Sequence, residues 1–93
     1  MKLTEKTELY ARGNRRLTGR YKNHSVDISY VEYSPFIENL TPYWYFSCTN
    51  TKTDDSYNSL WDKLKFKTQQ ECVDAAIKFI DESSQKKGGI NIG

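Results

Sequence analysis

Residues 62–80, DKLKFKTQQECVDAAIKFI, decide the fold, because a period-2 pattern runs straight into a period-3.6 pattern. Asp62, Leu64 and Phe66 alternate with Lys63, Lys65 and Lys67, as in a half-buried strand. Thr68 and Glu71 stand at the T-x-x-E spacing of a capping box, in which each side chain satisfies a backbone N–H at a helix start. Val73, Ala76, Ile77 and Ile80 follow at helical spacing, with Cys72 and Phe79 flanking the stripe. The pattern predicts a strand over 62–67 and a helix over 69–83 with one buried side.

Working outward, Tyr43–Cys48 (YWYFSC) is the most aromatic strand and is expected to be central. Trp44, Phe46 and Cys48 are expected to be buried, because the hydroxyls of Tyr43 and Tyr45 tolerate water. Val26, Ile28 and Tyr30 alternate with Asp27, Ser29 and Val31, a strand running to about Tyr33, and Arg15–Lys22 reads as an edge strand. The stretch between Pro35 and Pro42 is a loop, and Thr49–Ser59 reads as a long polar turn. Thr4–Arg12 reads as a short helix closed by Gly13, or else residues 1–14 form a mobile basic arm. Residues 86–93 read as a mobile tail in which Ile90–Ile92 could add a short edge strand. The expected fold is a single α+β domain over 1–93. It has a three- or four-stranded antiparallel sheet and one C-terminal helix packed on one face.

Composition supports a folded chain. Only 37% of the 93 residues are hydrophobic, but 14% are aromatic, and each aromatic ring buries a large area. The N-terminus, MKLTEKTEL, is charged at once, so no signal peptide or membrane span is expected and the chain is read as cytoplasmic. Cys48 and Cys72 are then expected to be reduced, buried thiols. Charge is segregated: residues 1–24 carry +5, residues 25–62 carry −5 and residues 63–93 carry +2. The pI of 8.5 falls short of the value of about 9 typical of dedicated nucleic-acid binders, and the acidic middle could neutralise the basic arm within one fold.

Catalytic chemistry finds no foothold in these residues. His24 and Ser25 are strand neighbours and point to opposite faces, so they form no dyad. No nucleophile elbow, phosphate-binding glycine loop or dinucleotide fingerprint occurs. One histidine and two distant cysteines lack zinc-site spacing, and Asp54-Asp55 lacks the alternating acids of a calcium loop. No enzyme activity, metal or cofactor is expected. The candidate binding residues are Tyr43, Tyr45, Trp61, Lys63, Lys65 and Lys67 on one sheet face, and Arg12, Arg15, Arg16 and Arg20 along the arm.

Phe66-Lys-Thr68-Gln-Gln-Glu71-Cys-Val-Asp-Ala75, preceded by an aromatic strand around Trp44, resembles the F-x-T-x-x-E-x-x-x-A ending of small β-β-β-α modules. These include the arm-binding domain of phage tyrosine integrases and the plant ethylene-response DNA-binding domain, and the resemblance covers about residues 43–80. It implies a sheet face laid into the DNA major groove, with Lys63, Lys65, Lys67 and Trp61 facing the groove and Arg20 added to them. By size and layout the chain is also similar to stand-alone phage and mobile-element proteins, among them anti-CRISPR and anti-restriction inhibitors. That likeness implies a non-catalytic protein of the host cytoplasm that occupies a protein partner or a nucleoprotein complex. Nucleic-acid binding is the first alternative and an assembly subunit the second.

Overall fold

The structure, a computed structural model, describes residues 1–6 and 12–90, with side chains up to residue 83. Five strands form one antiparallel sheet in sequence order: β1 (Thr4–Lys6), β2 (Arg15–Tyr21), β3 (His24–Val31), β4 (Tyr43–Asn50) and β5 (Ser56–Asn58). A 3-10 turn at Ser59–Asp62 leads towards the single helix α1 (Gln69–Ile90). The fold is therefore α+β, with one strand more than the upper expectation. The extra strands are short and lie where the sequence predicted other elements. Thr4–Lys6 pairs with Arg16–Thr18 instead of opening a helix, which places β2 inside the sheet and not at its edge. Of the helix expected over Thr4–Arg12, residues 7–11 fall outside the described residues; of the strand expected over Ile90–Ile92, Ile90 ends the helix instead and residues 91–93 fall outside the described residues. Residues 56–58 of the expected long turn pair with Ser47–Thr49.

Alternation builds the core. Leu17, Val26, Ile28, Trp44, Phe46 and Cys48 face the helix and are buried, as expected for β4. The helix answers with Cys72, Ala76 and Ile80, each spaced by four, while Val73, Ala75 and Phe79 pack at the margins. The stripe is therefore centred on Cys72 and not on Val73, and Ile77 sits at its rim, only half-buried. Thr68 caps the helix, its Oγ1 accepting the Glu71 N–H at 3.1 Å. The backbone then stays helical to Ile90, beyond the expected end at 83.

Two local devices hold the strands in register. Lys22 and Asn23 both take positive φ (43° and 63°), which is the backbone of a two-residue hairpin turn matched to strand twist. Asn14 clamps the ends of β2 and β3: its Oδ1 accepts the N–H groups of Glu32 (2.7 Å) and Tyr33 (2.9 Å), and its Nδ2 donates to the Tyr33 carbonyl (3.0 Å).

Candidate functional site

The predicted strand over 62–67 does not form, and its absence shapes the main candidate surface. Only Phe66 pairs, through reciprocal 2.8 Å hydrogen bonds with Trp44. Between Asn58 and Phe66 the chain leaves the sheet edge as a strap. Asn58 Oδ1 accepts the Leu60 N–H at 2.9 Å, and the Lys63 N–H donates to Leu60 O at 3.0 Å. Lys63 takes a left-handed conformation (φ 60°, ψ 30°), and the Leu64 N–H returns to Ser59 O at 2.9 Å. The left-handed residue breaks the period-2 register. Leu64, expected in the core, is 45% exposed as a result.

Ser59 fixes the strap to the sheet. It is fully buried, and its Oγ accepts the Phe46 N–H at 3.1 Å, where a neighbouring strand would otherwise supply a carbonyl. Above it Trp61 is 66% exposed, with its ring edge-on to Tyr57 at 5.9 Å. Tyr57 stacks on Phe79 at 4.1 Å and donates its hydroxyl to Asp62 at 2.6 Å. Burial and the Asp62 carboxylate push the Tyr57 phenol up to about 12, so it stays a hydrogen-bond donor across the physiological range. An exposed tryptophan is thus carried by a hydrogen-bonded turn and backed by an aromatic column reaching into the core.

The remaining predicted residues separate into groups. Tyr43 and Tyr45 lie on the open sheet face with ring centroids 6.2 Å apart, and the Lys65 ammonium lies 4.4 Å over the Tyr43 ring. Lys63 and Lys67 are exposed, but no single strand aligns them with Trp61. The four arginines do not form one arm. Arg12 covers the Tyr33 ring at 4.8 Å. Arg15 lies on the helix side, held by Glu5 through two hydrogen bonds of 2.8 and 3.1 Å, and over Trp44 at 5.7 Å. Arg16 and Arg20 stand on the open face, Arg16 at 3.5 Å from Asp27. Sequence reasoning missed three exposed apolar residues, Phe36, Ile37 and Leu64. Phe36 and Ile37 sit in the loop before Tyr43, and their position between two prolines was the available signal.

His24 is buried at the start of β3. Its Nδ1 donates to the Lys22 carbonyl at 2.8 Å, which leaves Nε2 with the lone pair in the neutral ring. The ring lines a cleft of about 140 Å³ with Cys48, Tyr57 and Phe79. Burial pushes the Cys48 thiol up to about 11 and the Cys72 thiol up to about 12, so both stay protonated at neutral pH. Both cysteines are free and buried. Among the described residues no group of three or more potential ligands could hold a metal ion, and no helix is long and apolar enough to cross a membrane. In comparison with known proteins, the chain matches no family model, no curated protein and no solved structure.

Proposed function

We propose that this chain is a non-catalytic binding module that acts by occupying a protein partner, as an accessory or inhibitor protein of the phage and mobile-element kind. The observation that carries the reading is Trp61, two-thirds exposed on a turn whose backbone is held by hydrogen bonds, which lowers the ordering cost of docking. Tryptophan is the side chain most enriched at binding hot spots, and pre-ordering lets its apolar area count towards affinity. Leu64 extends the apolar contact, and Lys63, Lys65 and Lys67 supply a positive rim suited to an acidic partner surface.

The test is quantitative capture from a host lysate with wild-type protein and Trp61→Ala as paired baits, followed by titration of the captured partner. The expected result is a partner retained by the wild type at least 30-fold more tightly, roughly 2 kcal/mol, than by the variant. Equal retention by both baits would remove Trp61 from the reading.

A further inference from the structure

The cleft that His24 lines, about 140 Å³ in volume, has mainly apolar walls. Phe79 and Tyr57 form one of them, their rings stacked at 4.1 Å with an interplanar angle of 15°, and the buried Cys48 thiol adds to it. An apolar cavity of about 150 Å³ is enough to hold a benzene-sized ring, so the cleft has room for one six-membered ring and little more. A planar ring also suits the aromatic wall, against which it can pack offset or edge-on.

Most polar groups around the cleft are engaged with the protein itself. Tyr57 donates its hydroxyl to Asp62, Asn50 Oδ1 accepts the N–H groups of Lys52 and Thr53, and the Ser56 hydroxyl pairs with that of Thr49. Asp55 is exposed at the rim. His24 is different. It is only 8% exposed, its Nδ1 is spent on the Lys22 carbonyl, and its Nε2 has no hydrogen-bond partner among the described residues. The ring also borders a hollow at the β2–β3 turn, and Lys22 lines that hollow but not the cleft. The Nδ1 bond therefore faces the turn, and the other edge of the ring, with Nε2, faces the cleft. A buried acceptor so placed gains most from a ligand that donates to it.

We infer that the cleft binds a small phenol-type ligand, a single uncharged aromatic ring whose hydroxyl donates to His24 Nε2. The ring rests against Tyr57 and Phe79, and the Asp55 carboxylate at the rim disfavours rings that carry a negative charge. The site does not use Trp61, so the inference stands whether or not the strap binds a protein.

Titration with phenol and with toluene, followed by amide chemical shifts in NMR at about pH 7.5, tests this. The two molecules match in size, but toluene has no donor and is the more hydrophobic, so a merely apolar cleft would prefer toluene. Phenol should instead bind about 10-fold tighter, with a Kd of about 0.1–1 mM, and should shift the amides of His24, Cys48, Tyr57 and Phe79. His24→Asn keeps a donor for the Lys22 carbonyl and withdraws the acceptor, and should reverse the preference. Ser83→Phe brings a ring of its own to the cleft wall and should weaken both ligands at least about 5-fold. No saturation below about 10 mM, toluene bound as tightly as phenol, or shifts centred away from the cleft would each overturn the inference. Those results come from the wild-type chain and decide the matter even if a variant fails to fold. A folded His24→Asn chain that still prefers phenol would overturn it as well.

Discussion

The two edges of the sheet face the same hazard, unpaired backbone groups, and deal with it in opposite ways. At the β4 edge three separate pieces close the strand: β5 pairs with Ser47–Thr49, the Ser59 hydroxyl takes the Phe46 N–H, and Phe66 pairs with Trp44. At the other edge β1 is three exposed residues long and sets Lys6 against Arg16. The first edge satisfies its backbone groups, and its departures from local rules are the left-handed Lys63 and the exposed Trp61 and Leu64. The second is fastened through charged pairs, Arg15 with Glu5 and Arg16 with Asp27, around a strand with no buried residue. Departures from local rules, such as the exposed Trp61 of the first edge, mark places where a surface can serve something outside the fold.

The largest expected effect separates binding from folding at the β4 edge. Trp61→Ala should cost about 2 kcal/mol or more in partner affinity. It should change unfolding stability by no more than about 0.5 kcal/mol, because the ring contacts Tyr57 only at its edge. Equal losses in both measurements would make Trp61 part of the fold and weaken the contrast between the edges.

Next comes the buried serine beneath it. Ser59→Ala leaves the Phe46 N–H without an acceptor in the core and should destabilise by about 1–3 kcal/mol. For a chain of this size each kcal/mol lowers Tm by about 4–8 °C. The urea midpoint should fall with its slope preserved, since the unfolded state is unchanged. A loss below about 0.5 kcal/mol would mean that water or a shifted strap supplies the acceptor.

How much of this was legible in the sequence follows from the range of the interactions involved. The helix and the buried side of β4 could be read because Cys72, Ala76, Ile80, Trp44, Phe46 and Cys48 announce themselves by type and spacing. The strap could not, because one left-handed Lys63 turns an alternating strand pattern into a turn, with no Gly or Asn at that position to signal it. Ser59 looks like any loop serine until Phe46, thirteen positions earlier, is placed against it. Strand β1 has little propensity of its own and exists by pairing with β2. The arginines follow one another closely enough in sequence to suggest one arm, but alternation in β2 assigns Arg15 and Arg16 to opposite faces.

The smallest effect is a pH asymmetry between the edges. Glu5, hydrogen-bonded by Arg15, has its pKa lowered from 4.5, so its contribution is present above the unfolded value and lost as pH falls through the folded one. Asp81, hydrogen-bonded by Lys22, is lowered from 3.8 and acts in the same sense where the helix meets the β2–β3 turn. The β1–β2 side should therefore loosen first in acid, below about pH 4.5. Tyr57 behaves in the opposite sense. Its folded value of about 12 lies above the ordinary 10.0, so its contribution is complete below pH 10.0 and is lost as pH rises towards 12. Amide exchange should show Thr4–Lys6 losing protection at the acid end, and tyrosinate absorbance should show a late-titrating ring that disappears in Tyr57→Phe. If acid instead released Leu60–Leu64 before β1, the ion pair at Glu5 would not be what fastens the first strand. The two edges would then differ in charge but not in how they are held.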